Sequence, residues 1–423
     1  MEFSRSSLRR RIPGVAGILM FLSIFGPGII TASVDNDAGG ITTYSIAGAH
    51  FGYSLLWTLI PITISLFVVQ EMCARMGVVT GKGLADLIRE TFGVKPTVVL
   101  LLGIMMANLS TTTAEFAGIA ASMEIFGVSK YISVPVAAVL VWLVIVKGTY
   151  QSIEKIFLIA SAFYITYIVS GLMLHPNWGY LLKETITPSI SFQPDYVYML
   201  IGLIGTTITP WMQFYLQSSV VEKGVKISEY KYTKWDVYIG CIITDVVSYF
   251  IIITCAATIF AHGMRIETAK DAALALFPLA GSYSAWLFAF GLLSASLFAA
   301  SVLPLSTAYF LCEGMGWDSG VNKRFWEAPQ FYLLYTLLIV VGASIILIPD
   351  APLLTIMVLS QVINGSLLPF VLVFMLLLIN NRKLMGSYTN NRFFNAVAWT
   401  MTIILSILTV ILVITTIFPG LVP

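Results

Sequence analysis

Residues Gly26 to Trp57 read GPGIITASVDNDAGGITTYSIAGAHFGYSLLW, and the reading of this stretch decides the fold. It begins as a membrane helix begins, in small and apolar residues. It then places Asp35, Asn36 and Asp37 in a row, followed by Ala38, Gly39 and Gly40. An ionisable residue at the bilayer centre costs at least about 2.5 kcal/mol, so it marks a functional site by default. Two adjacent glycines tolerate positive φ and lack a Cβ, so they break a helix at little cost. A helix broken at mid-membrane frees backbone carbonyls and helix ends to bind ions. A plain loop between two helices is the alternative. It fails because the segments on either side are too short to span a bilayer alone.

The rest of the chain supplies the membrane context. Of 423 residues only 10% are charged, 58% are hydrophobic, and apolar runs near the length of a span recur throughout. These features predict an all-α polytopic membrane protein rather than a soluble core or a transmembrane barrel, whose segments would be short and alternating. A net charge of +2 leaves no footprint for nucleic acid. Cys73, Cys241, Cys255 and Cys312 sit singly in apolar runs and suit packing thiols rather than a disulfide framework. Arg5 to Arg11 followed by an apolar run mimics a signal peptide, but that run leads directly into the opening motif, so no cleavage is expected.

Hydropathy places about 11 transmembrane helices, near 14–46 (broken), 53–75, 97–123, 131–148, 153–174, 197–221 (broken), 236–261, 282–312, 330–348, 353–380 and 394–418. With the N-terminus inside, all but four of the 23 Lys and Arg residues fall on inner segments; Lys130, Lys183, Arg265 and Lys270 are the exceptions. The positive-inside rule therefore predicts a cytoplasmic N-terminus and an extracellular C-terminus. The second break lies at Thr206-Thr207-Ile208-Thr209-Pro210-Trp211. Pro210 has no N–H and leaves the carbonyl of Thr206 without its helical donor. The first and sixth spans are thus both broken, and each opens a set of five. Five is odd, so the second set inserts inverted relative to the first, an arrangement that points to the substrate site of a secondary transporter. The predicted organisation is a cytoplasmic tail, 1–13, and a single transmembrane domain, 14–418. Within it, repeat one is 14–174, repeat two is 197–380, and 394–418 is an extra helix.

The opening stretch resembles the Nramp family of divalent-metal transporters. That family carries Gly-Pro-Gly, a Ser, Asp-Pro-Gly-Asn, and a small-residue helix ending in Gly-Tyr and Leu-Leu-Trp. The counterparts are Gly26-Pro27-Gly28, Ser33, Asp37-Ala38-Gly39-Gly40, Gly52-Tyr53 and Leu55-Leu56-Trp57. Ala114-Glu115-Phe116-Ala117-Gly118 is similar to the family's Ala-Glu-x-x-Gly. Ser360-Gln361-Val362, Leu368-Pro369-Phe370 and Met385-Gly386 match its later signposts. The departures fall at functional positions. Gly40 replaces a ligand Asn, Thr209-Pro210-Trp211 replaces Met-Pro-His, and Thr112 replaces a companion acid. That combination resembles the Nramp-related magnesium transporters. The resemblance implies the inverted 5+5 repeat (LeuT-type) and, as the expected location, the plasma (inner) membrane of a prokaryote.

The metal site expected from these residues contains Asp37, Thr206, Thr209, Gln361 and Gly40. Asp37 offers a carboxylate at the break, Thr209 a hydroxyl, Thr206 its released carbonyl, and Gln361 an amide oxygen. Oxygen ligands suit Mg²⁺, Ca²⁺ and Mn²⁺; a thioether or imidazole would select softer metals. Gly40 and Thr209 are smaller than the family's Asn and Met, so a roomier site for hydrated Mg²⁺ is expected, with Mn²⁺ also accepted. Asp35, two residues from Asp37, faces elsewhere on an intact helix, either lining the vestibule or adding charge. Asp245 attracts cations along the inner path or is a packing acid. Glu115 is expected to be structural, paired with hydroxyls such as Thr111 to Thr113. Glu71 and Arg75, at i and i+4, read as an ion pair. His50, His175 and His262 read as interface residues.

No cofactor and no obligate protein partner are expected, only the transported ions and the bilayer. Two other readings share this fold: a sodium- or proton-coupled symporter of a small organic solute, and a proton-coupled transition-metal transporter. An intramembrane enzyme does not fit, because metalloprotease-type His motifs are absent.

Overall fold

The structure, a computed structural model, describes residues 28, 31, 34–147, 161–321 and 323–417. Among these residues nine helices or helix pairs are long and apolar enough to cross a membrane. In order they match the expected second, third, fourth and sixth to eleventh spans. The expected first and fifth spans, 14–46 and 153–174, lie partly outside the described residues. Their described parts include α1 (Ala38–Phe51) and α6 (Ile165–Met173).

Between them run α2 (Leu59–Thr80), α3 (Leu84–Phe92), α4 (Val94–Ile125) and α5 (Lys130–Lys147). After α6 come α7 (Trp178–Ile186), α8 (Pro194–Thr207), α9 (Pro210–Glu222) and α10 (Tyr230–Thr258). The chain closes with α11 (Ser284–Met315), α12 (Pro329–Ile346), α13 (Leu353–Ile379) and α14 (Arg392–Ile417). Two of these, α3 and α7, fall between the expected spans. In α3, Leu84, Ala85, Leu87 and Ile88 are buried on one face. In α7, Asn177 caps the start by accepting from the Tyr180 N–H at 3.1 Å. Both helices are nine residues long, too short for a search tuned to spans.

The half-helix α1 lies at the centre, packed against α4, α8, α10 and α13. Small residues set these contacts, as they do where membrane helices approach closely. A Cβ on Gly118 of α4 would lie 2.4 Å from both the Ala38 Cβ and the Ser296 Oγ, so α1, α4 and α11 meet there. A Cβ on Gly205 of α8 would lie 2.0 Å from the Gln361 backbone oxygen, which brings α8 against α13. The burial gradient agrees. In its most apolar window the α8–α9 span is 89% buried, whereas α14 is 22% buried. The exposed remainder of α14 includes Ile403, Ile404, Ile407 and Val410, a surface suited to lipid.

The Glu71–Arg75 pair is present at 3.1 Å, as the i, i+4 spacing required. It extends further than the sequence indicated. Arg75 donates to the carbonyls of Tyr388 and Thr389 at 3.2 and 3.3 Å, and Tyr230 donates to Glu71. The pair therefore joins α2 to α10 and to the segment leading into α14.

Candidate metal site at the paired helix breaks

Both breaks fall where the sequence placed them. Asp35 ends the helical turn before the first break, and Asn36 and Asp37 turn the chain. Asp37 is the N-cap of α1, with extended backbone (φ −74°, ψ −176°), and its Oδ1 accepts from the Gly40 N–H at 2.6 Å. The Asn36 carbonyl, freed by the break, accepts from the Tyr164 hydroxyl at 2.6 Å. The second break is at Ile208 and Thr209, with Pro210 as the first residue of α9. Proline is favoured there because its missing N–H is not needed. Thr209 occupies the N-cap of α9, but its side chain makes no capping bond. Its hydroxyl and that of Thr206 have no hydrogen-bond partner among the described residues. Thr206 and Thr209 are only 1% and 2% exposed. Buried hydroxyls are normally paired, so two unpaired ones at a helix break fit a ligand that they coordinate.

Asp37, Gly40 and Thr206 come together. From the Gly40 Cβ direction the Thr206 Oγ1 is 3.1 Å away and the Asp37 Oδ1 is 3.4 Å. Gln361 also reaches the cluster, packed against Gly39. Neither the Asp35 nor the Asp245 carboxylate hydrogen-bonds to the cluster among the described residues. Asp35 lines a cavity of about 10 Å³ with Gln70, Cys241 and Thr244.

Three expectations about details change. Gly40 opens no space in this conformation: its Cβ would lie 2.7 Å from the Asp35 carbonyl oxygen. The residue is small because the backbone folds back on itself there. Gln361 holds its oxygen toward Asn364, which donates to it at 3.2 Å, and turns its amide nitrogen toward Gly39. To serve as a ligand through oxygen, its amide has to rotate. Glu115 is not held by the threonines near it. Thr111 and Thr113 bond back to Ala107 and Leu109 in their own helix. Glu115 instead accepts from the Ala38 N–H at 3.2 Å and stands beside the Asp37 carboxyl.

Asn364 is thus a residue that sequence reasoning missed, and Glu115 one that it named but gave other partners. The signal for Glu115 was the spacing to Gly118: three residues apart they share a face, and Gly118 is where α4 touches α1. For Asn364 it was the same spacing from Gln361. Among the described residues no three His, Cys, Asp or Glu side chains converge where they would hold a metal. The arrangement offers few charged donors, several neutral oxygens, and a helix N-terminus capped by two carboxylates.

Fold and site together define an all-helical polytopic membrane protein of the inverted-repeat type, built around two facing helix breaks. The profile of the family described as natural resistance-associated macrophage protein-like matches residues 28–415, and the chain belongs to this family, Nramp. The divalent metal cation transporter MntH of Bacillus subtilis (strain 168) is 26% identical over 436 residues, covering 97% of this chain and 96% of that protein. The crystal structure of the Eremococcus coleocola manganese transporter, in complex with an aromatic bis-isothiourea substituted compound, has the same fold. Its TM-score is 0.80 at 21% identity, over 98% of this chain and 90% of that one. The nucleobase-cation-symport-1 family transporter Mhp1 is more distant, with a TM-score of 0.57 at 13% identity over 93% of both chains. These relatives are transporters, not enzymes.

Proposed function

We propose that this chain carries divalent cations across the membrane, preferring Mg²⁺ with part of its water shell and accepting Mn²⁺, without coupling to protons. The observation that carries the reading is Asp37 at the break, with the unpartnered hydroxyls of Thr206 and Thr209 buried at the facing break. Mg²⁺ keeps several waters and binds through one or two carboxylates, which suits a site rich in neutral oxygen. Divalent-cation transport is also what the name of the Bacillus subtilis relative states. An organic anion as substrate is disfavoured, because the carboxylates of Asp37 and Glu115 would repel it.

The absence of proton coupling rests on side chains. Trp211 takes the place of the family's His and cannot titrate. Thr112 takes the place of an acid, and α12, which faces Thr112 through Gly342, contains no Lys or Arg. Coupling is also unnecessary energetically. A divalent cation gains about 4.6 kcal/mol per 100 mV of inside-negative potential, twice the single-charge value. That supports roughly a 10³-fold gradient. We place the protein in the plasma (inner) membrane of a prokaryote, with the N-terminus cytoplasmic and the C-terminus outside. The repeats are 14–174 and 197–380, followed by the extra helix 394–418.

The test is uptake of Mg²⁺, Mn²⁺ and Ca²⁺ into proteoliposomes at a set membrane potential, with a pH dye inside. Mg²⁺ and Mn²⁺ are expected to enter with internal pH unchanged; stoichiometric acidification would refute the uncoupled mechanism. Thr209→Met replaces a hard oxygen with a thioether and narrows the break. Its Mg²⁺ uptake is expected to fall more than its Mn²⁺ or Cd²⁺ uptake. An unchanged Mg²⁺/Mn²⁺ ratio would remove Thr209 from the selectivity argument.

A further inference from the structure

Gln361 stands at the site with its amide turned the wrong way for a cation, and the residue that holds it so is Asn364. Both side chains are fully buried, as is Thr111 of α4. The Asn364 Nδ2 donates to the Thr111 Oγ1 at 3.0 Å and to the Gln361 Oε1 at 3.2 Å. The Gln361 oxygen is thereby engaged, and its nitrogen is left toward Gly39 in the first turn of α1. Two polar atoms go unsatisfied in this arrangement. The Gln361 Nε2 and the Asn364 Oδ1 have no hydrogen-bond partner among the described residues. Buried donors and acceptors are normally paired, so an unpaired donor and an unpaired acceptor on adjacent amides call for a reason.

The backbone of Gln361 is closely packed. A Cβ on Gly205 would lie 2.0 Å from the Gln361 carbonyl oxygen and 2.3 Å from the Gly365 nitrogen, so α8 presses on α13 there. A Cβ on Gly39 would lie 1.9 Å from the Gln361 Nε2, so the amide fills the space that this glycine leaves. The freedom that remains is rotation of the amide itself. A half-turn exchanges its oxygen and nitrogen with almost no change of shape. When Gln361 and Asn364 both turn, the Asn364 oxygen takes the place of its nitrogen and accepts from the Gln361 Nε2. The Thr111 hydroxyl, which donates to the Ala107 carbonyl at 3.0 Å, redirects its proton to the same oxygen, since a hydroxyl rotates to suit its partner. The Gln361 Oε1 then faces Gly39 and the break that Asp37 caps.

We infer that Asn364 is a positioning residue for the transported cation. It holds the Gln361 oxygen away from the break while the site is empty. Turned over together with Gln361, it holds that oxygen toward the ion. The cation replaces the N–H that the oxygen gives up, and Asn364 itself does not touch the ion. Thr111 and Glu115 stand at i and i+4 on α4, so one helix supports both the Gln361 pair and, through the Ala38 N–H, the N-terminus of α1. This inference rests on the reading that the chain carries divalent cations and takes Gln361 as a ligand.

The experiment measures the concentration dependence of Mn²⁺ uptake in proteoliposomes at a set membrane potential and equal insertion. Wild type, Asn364→Leu, Gln361→Leu and the double variant are compared, with unfolding temperatures recorded for each. Asn364→Leu is expected to raise the half-saturating Mn²⁺ concentration at least about 10-fold at a near wild-type maximal rate, the lower end of what losing the partner of a metal ligand costs. Gln361→Leu is expected to raise it at least as much, and the double variant no further than Gln361→Leu alone, because Asn364 acts only through Gln361. Asn364→Asp offers acceptors only and so keeps Gln361 turned toward the break. It is expected to hold the half-saturating concentration at or below the wild-type value, and to lose that effect when Gln361 is Leu. Additive effects in the double variant, or the same gain from Asn364→Asp with and without Gln361, would overturn the positioning role and leave cation transport standing. Wild-type behaviour of Gln361→Leu would remove Gln361 from the site, and the positioning role with it. Absence of Mn²⁺ uptake by the wild type would overturn both the cation reading and this inference.

Discussion

Asp37→Ala is expected to lose Mg²⁺ and Mn²⁺ uptake at least about 100-fold, the upper end of what changing a mere supporting residue of a metal site costs. The side chain has two duties, and the variants separate them. It caps α1 through its bond to the Gly40 N–H, and it offers the break its carboxylate. Loss of the cap alone costs about 1 kcal/mol. Asp37→Asn keeps an oxygen that can accept from Gly40 but removes the charge. It is expected to retain wild-type thermal stability and still lose uptake to the same degree. Uptake by either variant at the wild-type rate, measured in proteoliposomes at equal insertion, would take Asp37 out of the site.

Gly40→Asn is expected to abolish transport of every ion together. From sequence alone this substitution looks like a shift in selectivity, since the family places a ligand Asn there. The geometry predicts otherwise. The Asp35 carbonyl oxygen lies 2.7 Å from where the Cβ would go, and backbone at a capped break does not yield cheaply. Overpacking of this kind costs about 1–3 kcal/mol. The expected readout is a lowered unfolding temperature and no uptake of Mg²⁺, Mn²⁺ or Cd²⁺. A Gly40→Asn protein of wild-type stability, altered only in its preference among ions, would show that the break can widen and that the sequence reading was the better one.

The two predictions differ in where their information comes from. Asp37 was visible from sequence because its signal is local: an acid beside Ala-Gly-Gly inside an apolar run is anomalous whatever surrounds it. The same holds for Pro210 after Thr209, for the order of the spans, and for the i, i+4 pair of Glu71 and Arg75. In a bilayer every backbone polar group must be satisfied within the segment or at a cavity, so interruptions of apolar helices are few and carry meaning. Short helices such as α3 and α7 escape that logic because they need not span.

Sequence by itself therefore determined the all-helical membrane fold, the two breaks and the identity of the acid at the first. Tertiary structure alone decided who stands beside that acid. Helical spacing fixes the angle at which a side chain leaves its own axis, but not which neighbour it meets, since that depends on how closely several helices pack. Gly118 and Gly205 allow that packing, and their contacts bring Glu115 to the N-terminus of α1 and α13 against α8. The same close approach turns Gly40 from apparent spare room into a point of contact. Asp35, two residues from Asp37, instead lines a small cavity with Gln70, Cys241 and Thr244.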